Sequence, residues 1–346
     1  MSLSLDQEWL NFQDNNIKNN ESTVDIKHKD KKKELPKCSD IYISTQTKIA
    51  YLNQPIDLYN LFWKLPILAY FVQQEGIIKK SIKINCNTKK EVEELEKIID
   101  SENNISVSIL SKIDNPHGRK VKFKDVRKII VGVCSKDLIS SRKKEKGAFY
   151  NCFALIIRLK YNGVFKEVHI KVFNTGKLEI PGIQSDDLLI KSIEYLISIL
   201  QVFYEEKINY SMDKIQTVLI NSNFNCGFYL DRNKLYNILK YNYDLDVIYD
   251  PCSYPGIQCK FYYNLLRLDD KNGICRCEKK CCKKKNSKKK NKCIEISFMI
   301  FRTGSVLIVG NCSKNILEIV YAFLKNILLN EFENIYIEND SVKKTK

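Results

Sequence analysis

Five of the thirteen cysteines fall in one lysine-rich stretch, and thiolates at short spacing can bind zinc. They are arranged as Cys275-x-Cys277-x-x-x-Cys281-Cys282, followed by Cys293. These steps differ from the two-residue spacing of zinc knuckles, and no histidine is close by, so we predict no metal and no other cofactor. Zinc binding is the alternative. With eleven Lys or Arg and one Glu between Lys271 and Lys292, the stretch is interpreted as a basic loop that attracts phosphates independently of sequence.

No other set of residues has the spacing of a catalytic centre. The three histidines are scattered over a polar leader, a turn and a strand: His28, His117 and His169. Asp186 and Asp187 stand at a predicted helix start, where negative charge is favourable. The glycines form no phosphate-binding loop, because no Gly-rich segment joins a strand to a helix with Lys-Ser or Lys-Thr. We therefore expect neither enzymatic activity nor a small-molecule substrate.

The composition is that of a folded protein. The chain of 346 residues is 44% hydrophobic and 28% charged, which excludes a wholly disordered protein. Its formal net charge of +16 indicates a polyanionic partner, although the basic loop supplies much of that charge. No apolar run approaches the roughly 18 residues that cross a bilayer, and Met1–Asn20 lacks the features of a signal peptide. We expect an intracellular, non-secreted protein with reduced cysteines and no membrane contact.

The hydrophobic periodicity predicts an α+β fold. Asp57 is expected to cap the first helix and Pro66 to kink or end it. A turn is predicted at 115–118. Strands are predicted at 41–49, 77–85, 105–113, 149–161, 165–173 and 177–180, and helices at 56–71, 89–99 and 186–203.

The second half of the chain repeats the order of the first. Residues 170–182 align without gaps on 298–310 at an offset of 128, and the helices that follow align too. Upstream, 214–219 aligns on 44–49 at an offset of 170. The predicted organisation is a flexible leader at 1–37, one repeat at 38–205 with an insertion at about 74–146, a second repeat at 206–333 with the basic loop at 270–293, and a polar tail at 334–346.

Each repeat is predicted to contain a strand, a helix, an antiparallel meander and a long helix. Two such units side by side would give a wide sheet with helices on one face. The other face would be left open. A sheet face of that size is a binding surface or is covered by a partner.

Three segments resemble the TATA-binding protein (TBP) family. Phe173-Asn-Thr-Gly176-Lys177 and Phe301-Arg-Thr-Gly304 look like its Ile-Phe-x-Ser-Gly-Lys element, and Tyr249–Ile257 looks like its Tyr-x-Pro-x-x-Phe-Pro-Gly-Leu element. With the bias towards lysine, asparagine and isoleucine, the sequence is most similar to divergent members encoded by nucleocytoplasmic large DNA viruses. The resemblance implies a duplicated saddle, in which a curved antiparallel sheet carries helices on its convex face.

The resemblance also implies a function. A TBP-like saddle binds A/T-rich promoter DNA in the minor groove and bends it with aromatic wedges, which here would be Phe153, Phe173, Tyr254 and Phe301. Phosphate contacts would come from Arg158, Lys177 and Lys260. The partners implied are double-stranded DNA, a transcription factor B-like factor and RNA polymerase subunits. The place of action would be the host nucleus or a cytoplasmic viral factory.

The centre of the saddle departs from the family. Thr47 and Thr217 stand where the family usually has asparagine, and a hydroxyl has one donor where the amide has two. Pro181 and Val309 replace a threonine. These changes leave an alternative open, a protein-interaction scaffold that keeps the saddle but has lost specific DNA binding. A weaker alternative is a nucleic-acid-binding appendage of an enzyme.

Overall fold

Twelve strands form one sheet in the computed structural model, which describes residues 35–102, 104–139, 149–264, 272–277 and 293–338. The leader 1–34, the interior of the basic loop at 278–292 and the last eight residues lie outside the described residues. The strands are β1 Tyr42–Tyr51, β2 Gly76–Cys86, β3 Ile105–Asp114, β4 Phe123–Gly132, β5 Cys152–Tyr161, β6 Val164–Phe173, β7 Lys177–Ile183, β8 Gln216–Asn225, β9 Asp246–Ile248, β10 Ile257–Tyr263, β11 Ile294–Ile300 and β12 Ser305–Gly310.

Seven α-helices are present in the described residues. Their bounds are α1 Leu58–Lys64, α2 Lys89–Ser101, α3 Ser135–Ile139, α4 Asp186–Gln201, α5 Arg232–Asn237, α6 Lys314–Asn330 and α7 Phe332–Ile335. A 3₁₀ turn at Met212–Lys214 precedes β8, and a π-helical turn at Ile238–Asn242 continues α5. Helix α1 ends before Pro66, as predicted, because proline disfavours helical geometry in the residue before it.

The strand order shows the duplication. The sheet runs β3-β4-β2-β5-β6-β7-β1-β8-β12-β11-β10-β9, with β1 and β8 as antiparallel neighbours at the centre. Moving outward from the centre, β7, β6, β5 and β2 on one side match β12, β11, β10 and β9 on the other. The predicted fold class, an α+β duplicated sheet with helices on one face, is confirmed.

Helix caps recur at fixed distances along the chain. Ser185 caps α4 by accepting from Leu188 N–H, and Ser313, 128 residues later, caps α6 by accepting from Ile316 N–H. Asp57 caps α1 and Asp231, 174 residues later, caps α5. The offset of 128 was predicted, whereas the offset of 170 for the first strand is wrong by four residues.

The strand register gives the same offset of 174. Tyr51 lies opposite Lys177 in the first half, and Asn225 lies opposite Ser305 in the second. Since Lys177 and Ser305 correspond at 128, Tyr51 and Asn225 correspond at 174. The predicted alignment of 214–219 on 44–49, which paired Thr47 with Thr217, is therefore wrong. Thr47 corresponds to Asn221.

The core lies between the sheet and the helices. In β5 every second side chain is buried against α1 and α4, and in β11 every second side chain is buried against α6. One cluster of buried residues belongs to each half. The predicted apolar face of α4 is confirmed, since Leu189, Ile193, Leu196 and Leu200 are all buried. On the opposite face, the short helix α3 lies against the first half, where Asp137 pairs with Lys79 at 2.6 Å and Ser135 N–H donates to Glu167 at 3.1 Å.

The first half has extra elements at its outer end. Strand β2 takes the place that β9 takes in the second half, so the described part of the insertion begins after β2, at about residue 87 rather than 74, and contains α2, β3, β4 and α3. Strand β4 was not predicted. Its helix-facing side carries Asp125 and Arg127, which are buried and joined by an Nε–Oδ1 contact of 3.0 Å, and Arg127 also pairs with Glu96 at 2.9 Å.

The second half continues past residue 333. Ile335 is fully buried in its core, and Ile337 N–H donates to Tyr229 O at 3.0 Å. The predicted polar tail at 334–346 therefore begins about five residues too early. Among the described residues, no helix has the length and apolar character that crossing a membrane requires.

Candidate nucleic-acid interface

The sheet presents one face away from the core helices α1, α4 and α6, here called the open face, and α3 covers part of it in the first half. The open face consists of the side chains that alternate with the buried ones in β5, β6, β7, β1, β8, β12, β11 and β10. In β6, Val168, Ile170 and Val172 point to the core, so Lys171 and Phe173 belong to the open face. All ten residues predicted to bind DNA can be placed relative to this face.

Two aromatic rings lie side by side at the end of the open face in the second half. The ring centroids of Tyr254 and Phe301 are 5.9 Å apart at an angle of 60°. The Tyr254 hydroxyl is 3.5 Å from the sulfur of Met299, which is an open-face residue of β11. Gly256 lies between the rings, since a Cβ there would come within 3.0 Å of both. The structure brings the two predicted residues together.

The first half has Phe173 at the position equivalent to Phe301. Its ring lies 5.1 Å from Lys177 Nζ, a cation–π contact between two predicted site residues. Phe153, the partner predicted for Phe173, is not on this face. It is fully buried and packs with Phe62 of α1 at a ring distance of 6.5 Å, so the interpretation of Phe153 as a wedge is wrong.

The register shows which residue takes the place of Phe153. Phe153 lies opposite Val172, and Ile257 lies opposite Ile300. Because Val172 and Ile300 correspond at 128, Phe153 corresponds to the core residue Ile257 rather than to Tyr254. Tyr254 stands three residues before Ile257.

Tyr150 stands three residues before Phe153 and is the counterpart of Tyr254 by this count. Its side chain is 55% exposed. Lys83 Nζ lies 3.4 Å from the ring centroid, and hydrogen bonding to Lys83 lowers the pKa of the Tyr150 hydroxyl. Sequence alone did not indicate Tyr150, because only the pairing of Phe153 with Val172 shows which position of this strand is buried.

The centre of the open face lies where β1 meets β8. Thr47 is half-buried opposite Leu219, and Asn221, its counterpart, donates through Nδ2 to Thr45 Oγ1 at 3.0 Å. Val309 of β12 lies opposite Asn221. One asparagine therefore occupies the central pair of positions, and the prediction that both carry threonine is wrong. Thr217 is half-buried further along β8, in register with Lys48.

The predicted phosphate contacts differ in availability. Arg158 is 7% exposed, and its guanidinium donates to Val72 O at 2.9 Å and stacks on Tyr70 at 4.7 Å. It holds the 66–75 segment, so its assignment as a phosphate contact is wrong. Lys260 is partly exposed and pairs with Glu295 at 2.8 Å, which offsets its charge. Lys177 lies beside the Phe173 ring at the hairpin.

The two halves of the open face differ in polarity. The first half carries an ion pair between Lys171 and Glu179 at 2.6 Å, where the second half has Met299 and Leu307. His169 is next to this pair, and burial, together with the positive charge of Lys171, lowers its pKa to about 4. The imidazole is therefore neutral at pH 7. At these equivalent positions the first half is charged and the second is apolar.

A comparison with curated proteins agrees with the predicted resemblance. A curated relative described as TATA-box-binding protein-like, from Acanthamoeba polyphaga mimivirus, is 24% identical over 217 residues, which cover 58% of this chain and 53% of the relative. The match thus spans about half the length of that relative. A solved structure, TBP of Methanococcus jannaschii, matches with 13% identity and a TM-score of 0.41 over 84% of this chain and 99% of that chain. No protein-family model matches the chain. The predicted resemblance is confirmed: the chain is similar to a viral TATA-box-binding protein-like protein and diverges widely from it in sequence.

Proposed function

We propose that this protein is a TBP-like DNA-binding transcription initiation factor that binds A/T-rich duplex DNA on its open face and bends it from the minor groove. The observation that carries this proposal is the placement of aromatic residues at both ends of the open face, Tyr150 and Phe173 in one half and Tyr254 and Phe301 in the other. Apolar rings at such positions can enter between base pairs and unstack them.

The aromatic residues of the two halves lie at opposite corners of the open face. Phe173 ends β6 and Phe301 follows β11, and five strand steps of about 4.8 Å each separate those strands across the sheet. The two residues are also displaced along the strands, because the Phe173 hairpin lies at the Tyr51 end of β1 and the Phe301 hairpin lies at the Asn225 end of the antiparallel β8. Two kinks at these positions would flank one A/T-rich site.

The chemistry between the aromatic residues suits the minor groove. That groove mainly distinguishes A·T from G·C pairs, through acceptors at the base edges. The Asn221 amide and the Thr47 hydroxyl supply donors, and Leu219 and Val309 supply apolar contact. Specificity in this arrangement comes largely from how easily the DNA deforms.

The helical face would then remain available to protein partners. With DNA on the open face, α4 and α6 lie on the other side of the sheet. We propose that this side recruits a transcription factor B-like factor and RNA polymerase, in the host nucleus or a cytoplasmic viral factory. The role is non-enzymatic.

Energy transfer across a DNA duplex labelled with dyes at both ends tests the proposal. Titration with the protein should shorten the end-to-end distance of an A/T-rich duplex but not of a G/C-rich one. Phe301→Ala should abolish the shortening. Tyr241→Ala is the matched control, because Tyr241 is an exposed aromatic of the π-helical turn, whose Leu239 lies in the core on the helical side of the sheet. An unbent A/T-rich complex, or equal bending by both variants, would exclude this function.

A protein-interaction scaffold is the second candidate. It is favoured by the Lys171–Glu179 ion pair, which places a carboxylate on the open face where a DNA-binding surface gains nothing from negative charge. Under this function, DNA binding would be weak, steeply salt-dependent and indifferent to sequence. A pull-down with a transcription factor B-like factor would then succeed equally with the wild-type protein and with Phe301→Ala.

A further inference from the structure

Three cysteine sulfurs converge where the basic loop leaves and rejoins the sheet. Cys277 Sγ is 3.6 Å from Cys293 Sγ, and Cys293 Sγ is 3.9 Å from Cys275 Sγ. All three sulfurs lie within 4.8 Å of one another. These separations are far longer than the roughly 2.05 Å of a disulfide bond, so the sulfurs are gathered without being covalently joined.

The separations match those of a metal-thiolate site. Zinc binds cysteine sulfur at about 2.3 Å with tetrahedral angles, which places two sulfurs on one ion about 3.75 Å apart. The separations of Cys293 Sγ from Cys277 Sγ and from Cys275 Sγ, 3.6 and 3.9 Å, lie on either side of that value. We propose that Cys275, Cys277 and Cys293 form a zinc site. Three thiolates favour zinc over magnesium or calcium, which prefer oxygen ligands.

The backbone around the thiols is fixed by the core of the second half. Gly273 O accepts from Tyr262 N–H at 2.9 Å, and Ile274 packs against the buried cluster. Gly273 has φ +76°, and a Cβ there would come within 2.6 Å of the Phe261 ring. This contact excludes other residues and brings the chain close to β10. The segment that carries Cys275 and Cys277 is thus held beside β10.

The third ligand is positioned by β11. Cys293 directly precedes Ile294, the first residue of that strand, and is 6% exposed. Strand β11 pairs with β10, whose Tyr263 lies opposite Ile294. Two strands and one anchored segment therefore bring together thiols that are sixteen residues apart in the chain. The sequence spacing did not indicate this, because the third ligand comes from the far side of the loop.

The proposed ion would join both ends of the lysine-rich stretch. Cys277 and Cys293 flank residues 278–292, which contain nine lysines in the sequence. An ion bound by cysteines at both ends would close the intervening residues into a loop. Because it binds the folded arrangement of the three thiols, it would stabilise the folded state. This site does not depend on DNA binding by the open face.

Metal titration of the full-length, reduced and metal-free protein tests the proposal. Addition of Co²⁺ should give one equivalent of a tetrahedral complex, with intense visible bands and sulfur-to-metal charge transfer, and Zn²⁺ should displace it. Cys277→Ser should weaken zinc binding at least about 100-fold. Cys252→Ser is the matched control, because Cys252 is an exposed cysteine outside the cluster, and it should bind zinc as the wild type does.

Measurements on the wild-type protein alone can also decide the question, which guards against a variant that fails to fold. Zinc should protect three or more thiols from a thiol-reactive dye and raise the unfolding temperature, and a chelator should reverse both effects. A cobalt complex without charge-transfer bands, or no protection of thiols by zinc, would overturn the proposal. A disulfide among these cysteines in protein kept under reductant would overturn it as well.

Discussion

Replacing Gly304 by alanine should destabilise the protein by about 3 kcal/mol, against about 1 kcal/mol for the same change at Gly163. Both glycines have left-handed backbones, with φ of +81° and +79°. They differ in their surroundings. A Cβ at Gly304 would come within 2.3 Å of Phe228 O, whereas a Cβ at Gly163 would meet nothing within 4 Å. The backbone strain is therefore common to both variants, and the close contact exists only at Gly304.

The larger cost follows from two hydrogen bonds. A methyl carbon needs about 3.3 Å from a carbonyl oxygen, so the turn must move by about 1 Å. That turn is held by Cys226 N–H donating to Gly304 O at 2.9 Å and by Leu230 N–H donating to Arg302 O at 3.0 Å. Moving the turn by about 1 Å breaks both, at about 1 kcal/mol each. The left-handed strain adds about 1 kcal/mol.

Urea denaturation measures this difference directly. At equal m-values, the midpoint of Gly304→Ala should fall well below that of Gly163→Ala. Gly176→Ala should behave like Gly304→Ala, since a Cβ at Gly176 would come within 2.4 Å of Gln54 O, and Leu52 N–H donates to Gly176 O at 2.9 Å. Equal losses at Gly304 and Gly163 would show that close docking of the hairpins on the neighbouring loops does not stabilise the fold.

Three further predictions concern the centre of the open face, its histidine and the helix that closes the second half. Asn221→Ala should weaken binding to an A/T-rich duplex about tenfold through loss of one hydrogen bond, while Thr217→Ala should change it less than about twofold, as measured by fluorescence anisotropy. His169 has a folded pKa of about 4 and an ordinary value of 6.5, so the unfolded chain takes up the proton first and stability falls as the pH drops from 6.5 to 4. The loss should reach up to about 3 kcal/mol and be absent in His169→Gln, compared by denaturation at each pH. Ser313→Ala should cost about 1 kcal/mol, because it removes the acceptor for Ile316 N–H at the start of α6, and a thermal melt that stays at the wild-type midpoint would contradict this.

Sequence alone could predict the second part of each repeat because its signals are local. The turns at Gly176 and Gly304 need left-handed backbone, and the caps at Ser185 and Ser313 need a side-chain acceptor, so these residues recur at a constant spacing. The first strands lack such markers. The four-residue error there placed Thr217 beside Thr47, although the caps Asp57 and Asp231 already carried the correct spacing of 174.

The missed residues share a physical cause. Strand β4 was not recognised because its core side includes Asp125 and Arg127, whose charges are typical of a surface, while their ion pair makes burial possible. Phe153 was assigned to the wrong face because a shift of one residue along a strand reverses the direction of the side chain. Only the pairing with Val172, a long-range contact, fixes that choice.

Because the two halves of the open face differ in side chains, the two orientations of a bound DNA duplex would not be equivalent. A surface with perfect twofold symmetry would hold a duplex equally well in either of two orientations. Here one orientation sets a given end of the DNA against Lys171 and Glu179, and the reverse orientation sets it against Met299 and Leu307. A difference of about 1.4 kcal/mol between them favours one orientation tenfold. Under the proposed function, divergence of the two repeats would thus let the protein bind a promoter in one preferred orientation and so define the direction of transcription.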